Sequence, residues 1–306
     1  MALRQSLLAL LALVLGLLAG PALAQDQGRL VEVKRIAIPG LPDQRLTIWL
    51  PPGYDAGKRR YPVLYMHDGH NLFELKHSNF NKIWAADQAM LAAMATGKVE
   101  PHIIVGIWAP GKDRYRQYLP KSAYDGASPT LRGRMEALAG GPVLSEAYLA
   151  WLAGPLKHEI DRSYRTRRGL RDTAIAGSSM GGLMSCYAFV MRPDIYGRAA
   201  CISTHWPLVM AQPGEDADPE RLALHQRWLV DRLGQPGGGR RLWLDIGTGT
   251  LDAFYPRYQA SVEAGIAAKG WKRGRDWQGT TYQGAEHEEN AWARRLPEIF
   301  GWLLRK

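Results

Sequence analysis

The stretch Asp172-Thr173-Ala174-Ile175-Ala176-Gly177-Ser178-Ser179-Met180-Gly181-Gly182 decides how this chain is read. Its first five residues suit a short buried strand, and the apolar pattern from Gly182 to Met191 suits a helix. Between them lies Gly-x-Ser-x-Gly. A serine on so tight a strand-to-helix turn has a strained and crowded backbone, which is why small residues flank it. The following helix would aim its positive N-terminal end at the serine, where a developing negative charge is stabilised. Ser178 offers a neighbouring hydroxyl, but the pentapeptide register favours Ser179 as a nucleophile.

Outward from this turn, short apolar runs alternate with longer helical ones. The pattern predicts strands over 30–38, 45–50, 63–66, 102–108, 173–176, 199–203, 241–246 and 277–282. Helices are predicted over 83–95, 145–164, 180–191, 219–233, 253–269 and 290–304, and residues 110–142 read as a long loop. The first two strands form an antiparallel pair closed by Pro51-Pro52-Gly53. Strands too apolar to have a wet face, alternating with helices, argue for an α/β fold with a mostly parallel central sheet and helices on both faces. Residues 235–239 are too short to link domains, so residues 25–306 read as one domain.

Of the 306 residues, 46% are hydrophobic and 22% charged, which excludes a disordered chain. Arg4, the apolar run 7–19 and Ala22-Leu23-Ala24 read as a secretory signal peptide over 1–24, cleaved after Ala24. The run is shorter than the roughly 20 residues that span a bilayer, so export to periplasm or medium is expected without stable membrane insertion. Cys186 and Cys201 are too few for a disulfide scaffold or a four-ligand zinc site. They fall on a helix and a strand that pack together, where a disulfide fits; two buried free thiols are the expectation.

A nucleophilic serine needs a base and an orienting acid. Three histidines follow Ser179 in the chain. His205 follows a strand and His225 sits in a helical stretch, whereas His287, in Gln283-Gly284-Ala285-Glu286-His287, occupies a loop at the carboxyl edge of the sheet and is the expected base. The expected acid is Asp252, just past the penultimate strand. Asp245, inside that strand, is the alternative. The loop His67-Asp68-Gly69-His70-Asn71 is placed to supply a backbone N–H from Gly69 or His70 to an oxyanion, beside that of Met180. His67, Asp68 and His70 also read as a compact ligand cluster, but with no complementary downstream ligands no metal or other cofactor is expected.

Tyr65 to Phe73, Ile104-Val105-Gly106-Ile107, Arg114 with Gln117-Tyr118-Leu119-Pro120, Gly177 to Gly182, Ser203-Thr204-His205-Trp206 and Gly284-Ala285-Glu286-His287 together resemble the esterase family of α/β-hydrolases. That family includes enterochelin esterases, S-formylglutathione hydrolase, feruloyl and acetyl-xylan esterases, and mycolyltransferases. The resemblance covers residues 30–304 and implies an α/β-hydrolase fold with a Ser-His-acid site acting on an ester, with Ser179 and His287 carried over directly. His70 stands where the family often has Gln, and Gln117 where it often has Glu. The acid is the family's least constant position.

The substrate expected is a small, carbohydrate, phenolic or siderophore-type ester. Trp84, Trp108 and Trp206 fall near predicted strand or loop ends, and Trp206, His205 and Trp108 are the candidate pocket residues. Lysine and arginine outnumber aspartate and glutamate 39 to 29, for a charge of +10, which raises polyanions as partners. The basic residues cluster at 58–60, 165–168, 240–241 and 272–275, mostly at strand starts and away from the serine. They read as a solvated positive surface, and no nucleic-acid partner is expected. Acyl transfer by the same triad, or an inactive polyanion-binding protein on the same fold, are the alternatives.

Overall fold

Chain composition already separates the strands of the sheet. In the computed structural model, which describes residues 26–306, the inner strands β3 (Val63–His67), β4 (Ile103–Ile107), β5 (Thr173–Ser178) and β6 (Arg198–Ile202) are buried along their whole length. β7 (Arg241–Ile246) is buried except at its first residue. The edge strand β1 (Arg29–Ile38) keeps much of its length wet, and β2 (Leu41–Leu50) is buried continuously only in its second half. Together with β8 (Trp277–Thr281) they form one eight-stranded sheet of order β1-β2-β4-β3-β5-β6-β7-β8. β1 and β2 run antiparallel, and β4, β3, β5, β6, β7 and β8 run parallel. Strand order reverses at β3, between β4 and β5, and in such sheets the carboxyl ends on either side of the reversal form a crevice. The expected leader over 1–24 lies outside the described residues, and among these no helix is long and apolar enough to cross a membrane.

Helices cover both faces, as expected. α1 (Ala86–Ala95) and α10 (Glu289–Leu303) pack together on one face with Leu64, Met66, Ala174, Ala200 and Trp243 of the sheet. The opposite face is covered by α5 (Ser145–Trp151), α6 (Lys157–Ser163), α7 (Met180–Met191), α8 (Pro219–His225) and α9 (Pro256–Ala268). The helix predicted over 145–164 passes from α5 to α6 through a wide turn, Leu152–Leu156, that holds Pro155. A proline lacks the N–H that a regular turn would use, and the widened turn absorbs it.

Two expectations fail. Residues 110–142 are not a loop: they form α2 (Arg114–Tyr118), α3 (Lys121–Gly126) and α4 (Pro129–Ala139). The first two are too short to display a helical apolar period. α4 is marked locally, by Ser128 capping Leu131 N–H and Pro129 at its first position. The cysteines are not free thiols either; Cys186 of α7 and Cys201 of β6 form a disulfide. α7 lies directly on β6, which brings the two Cα atoms to 5.9 Å, inside the bridging range.

The basic clusters sit at the amino ends of the parallel strands. Arg59 and Arg167 share Glu100, Arg167 also pairs with Asp172, and Arg275 pairs with Asp276. Arg240 is different: it is buried over the rings of Phe189 and Trp271.

Five histidines are buried, and burial lowers His70 among them below its ordinary value. Burial lowers His67, His102 and His225 to about 4 and His205 to about 3, from an ordinary 6.5. Between pH 6.5 and about 4 the unfolded chain binds protons that these rings refuse in the fold, so stability falls as pH drops through that window. Asp245, raised by burial to about 6, and Glu263 and Glu289, also raised by burial, oppose this as three groups against five. Calorimetry should find a melting temperature lower by roughly 5 °C or more at pH 5 than at pH 7.5; an equal or higher value would contradict burial of the neutral rings. For the disulfide, a thiol reagent should label the denatured chain only after reduction. Replacing both cysteines by serine should cost roughly 3 kcal/mol in denaturant melts, and labelling without reductant would contradict the bond.

Candidate active site

β5 ends at Ser178 and α7 begins at Met180, so Ser179 alone makes the turn between them. Its φ of 56° and ψ of −122° lie in a region that L-residues rarely adopt. The end of β6 and the chain that follows it hold it there. Its N–H donates to Ile202 O at 3.0 Å, and its carbonyl accepts from His205 N–H at 3.2 Å. Gly177 must be glycine, because a Cβ there would lie 2.7 Å from Gly181 O and 3.0 Å from the His67 ring. Met180, as the first helical residue, has an N–H with no intrahelical acceptor, on the same turn as the Ser179 side chain.

The turn after β3 approaches from the other side. Asp68 takes φ 58°, and Gly69–Asn71 form a single 3-10 turn. A Cβ on Gly69 would sit 2.4 Å from the Gly106 backbone, so the turn crosses β4 in contact. Asn71 N–H closes the turn on Asp68 O at 2.9 Å, which leaves the N–H groups of Gly69 and His70 without an acceptor inside it. Arg114 of α2 holds both carboxylate oxygens of Asp68, at 2.7 and 2.8 Å, and reaches Ser178 O at 3.5 Å. Burial pushes the Asp68 carboxyl up, but Arg114 outweighs it and leaves it below the ordinary range. The His67-Asp68-His70 cluster is therefore already divided among other partners: His67 Nδ1 lies 3.1 Å from Tyr148 OH, and His70 Nε2 lies 2.9 Å from Asn79 Nδ2. Among the described residues, the group whose ligand atoms lie close enough to share a cation is Glu32, Glu74 and His77, where Lys76 already pairs with Glu74.

The loops after β7 and β8 are laced together. Thr248 and Gly249 N–H both donate to Ala285 O, and His287 N–H donates to Thr250 Oγ1 at 2.8 Å. This lacing brings His287 Nδ1 to 2.5 Å from Asp252 Oδ1. Asp252 is fully buried, and its Oδ2 accepts from Ser203 Oγ at 2.6 Å and Gly247 N–H at 2.5 Å. Asp245, the alternative acid, is engaged elsewhere, by Arg295 at 2.8 Å and Trp243 Nε1 at 2.7 Å. Glu286, Glu288 and Glu289 flank His287 in sequence; Glu288 caps α10 and pairs with Lys82, and Glu289 accepts from Asn71.

Ser179 and His287 line one cavity of about 720 Å³, walled by Trp84, Trp108 and Trp292 and rimmed by Phe80 and Lys82. Of the three expected pocket residues only Trp108 is there, with Nε1 on Thr47 Oγ1 and Arg45 stacked 3.8 Å over its ring. Trp206 is fully buried, bonded to Gln259 and packed on His225. His205 is buried behind Ser179 with Nδ1 on Tyr255 OH at 2.7 Å. Both follow β6, and neither lines the cavity. Trp292, Lys82, Phe80 and Glu289 were missed. Trp292 had a local signal, since it follows His287 by five residues in the first turns of α10 and stacks edge-on to it at 5.1 Å. Phe80 and Lys82 had none.

Similar proteins bear on this arrangement. YbbA of Bacillus subtilis (strain 168), an uncharacterized protein, is 24% identical over 54% of the chain, and an endo-1,4-beta-xylanase/feruloyl esterase of Xylanibacter ruminicola is 26% identical over 86%. The chain spans 58% and 29% of the lengths of these two relatives. An IroE-like serine hydrolase from Shewanella oneidensis shares the fold, with a TM-score of 0.64 at 16% identity over 89% of this chain and 80% of that one. Residues 42–303 match the family described as "Putative esterase". That match runs from β2 to the end of α10 and takes in the serine turn, the β3 turn and the laced loops, so the chain belongs to this esterase family.

Proposed function

We propose that the protein is a carboxylic-ester hydrolase in which Ser179 is the nucleophile, His287 the general base and Asp252 the orienting acid. The observation that carries this reading is the 2.5 Å contact between His287 Nδ1 and Asp252. A carboxylate at Nδ1 makes that nitrogen the N–H donor and leaves Nε2 as the acceptor, on a ring lining the same cavity as Ser179. His287 takes the Ser179 proton as Oγ attacks the ester carbonyl, and the N–H groups of Met180 and of Gly69 or His70 hold the tetrahedral oxyanion. His287 then gives the proton to the departing alcohol. Water repeats the cycle on the acyl-enzyme. One such oxyanion donor supplies about 3 kcal/mol.

The substrate proposed is a phenolic or glycan-linked ester. An indole-lined cavity suits a flat aromatic acyl group or a sugar ring, and the feruloyl esterase named among the relatives acts on such a group. The leader read at 1–24 and the Cys186–Cys201 bond support export to an oxidising compartment.

Ser179→Ala should abolish turnover of p-nitrophenyl acetate, and Asp252→Asn should lower kcat on the order of 10⁴-fold. Retained turnover in the purified serine variant would refute the assignment. Trp108→Ala should raise KM for a feruloyl ester about tenfold or more while leaving p-nitrophenyl acetate within about twofold. Equal effects on both esters would remove Trp108 from substrate binding.

A further inference from the structure

Behind the His287–Asp252 contact lies a row of buried polar side chains that the ester mechanism does not use. Arg295 Nη1 lies 2.8 Å from Asp245 Oδ1 and 3.0 Å from Ser203 Oγ. Ser203 Oγ lies 2.6 Å from Asp252 Oδ2. All four residues are at most 3% exposed. They come from four parts of the fold: Ser203 follows β6, Asp245 is in β7, Asp252 is in the turn after β7 and Arg295 is in α10.

We infer that Ser203, oriented by the Arg295–Asp245 ion pair, is a positioning residue that fixes the Asp252 carboxylate toward His287. The inference rests on the proposed role of Asp252. A guanidinium can only donate, so its bond to Ser203 occupies a lone pair of the hydroxyl oxygen. The serine proton is then left to donate to Asp252 Oδ2. With Gly247 N–H as a second donor, Oδ2 is anchored on one side and Oδ1 is left facing the imidazole. Without these bonds the plane of the carboxylate is not fixed relative to the imidazole, because rotation about that terminal bond is soft.

The rest of the row keeps Ser203 in place. Asp245 Oδ1 also accepts Ser203 N–H at 3.2 Å, and Asp245 Oδ2 accepts Trp243 Nε1 at 2.7 Å. Ser203 itself has φ 39°, a left-handed conformation that costs energy for a residue with a Cβ and is held by its surroundings. Arg295 stands on the helix that begins two residues after His287, so the same element carries the base's loop and fixes the acid's partner. A buried ion pair is weak evidence for stability, since apolar side chains of equal volume often do as well. The pair here directs a proton.

The test is a double-mutant cycle on the full chain with a p-nitrophenyl ester. Ser203→Ala should lower kcat about 10- to 100-fold with KM unchanged, and the same change made in Asp252→Asn should have no further effect. Arg295→Lys, which keeps the cation but loses the fork, should lower kcat and be non-additive with Ser203→Ala; it provides a second route if the alanine variant folds poorly. An undiminished kcat in Ser203→Ala, while Asp252→Asn is severely impaired, overturns this inference and leaves the triad standing. An equal loss in both backgrounds assigns Ser203 a structural role and overturns it too. An Asp252→Asn enzyme as active as the parent overturns the triad reading together with this one.

Discussion

The site depends on one constrained residue. Ser179 occupies a backbone conformation that L-residues avoid, and it stays there because Ile202 at the end of β6 holds its N–H and His205 just beyond holds its carbonyl, while Gly177 and Gly181 let strand and helix meet in contact. The strain has a geometric result: the side chain projects beyond the sheet edge at the start of α7, where the helix N-terminus offers an unpaired N–H. A relaxed turn would need more residues and would separate the hydroxyl from that donor.

Around this point the fold gathers groups from the carboxyl ends of separate strands. The β3 turn arrives because strand order reverses beside β5. It is held by Arg114, which joins Asp68 to the strand end that carries the serine. Asp252 and His287, the candidate acid and base, arrive from β7 and β8 on loops bonded to each other through Ala285 and Thr250. The amino ends of the same strands carry the basic clusters, many of them in local ion pairs. The parallel sheet thus separates a charged edge from the edge that holds the cavity.

Legibility in the sequence followed the range of the interactions. The strands, the long helices and the serine turn were read within a residue or a few, because apolar period and glycine spacing are local. Residues 110–142 were misread because α2 and α3 are short and shaped by packing of residues such as Tyr118 and Ala123, which only the folded chain buries. The pocket residues divide the same way. Trp108 follows directly after β4 and points outward with it, whereas Trp206 looked equivalent by position yet is fully enclosed. Trp84 and Trp292, 208 positions apart in the chain, pack side by side in the cavity wall with ring centroids 5.3 Å apart.

By itself the sequence determined the α/β class, the serine turn, the candidate base and a short choice of acids, since each is written in a few neighbouring residues. Only the tertiary structure gave the two candidate acids different partners. Asp252 and Asp245 are both carboxylates near the end of β7, and nothing local tells them apart. Folding gives Asp245 to Arg295 of a distant helix and Asp252 to His287 of a distant loop. The disulfide was decided in the same manner. Whether two cysteines bond depends on the distance at which a helix settles on a strand, and that distance is set by every side chain packed between them.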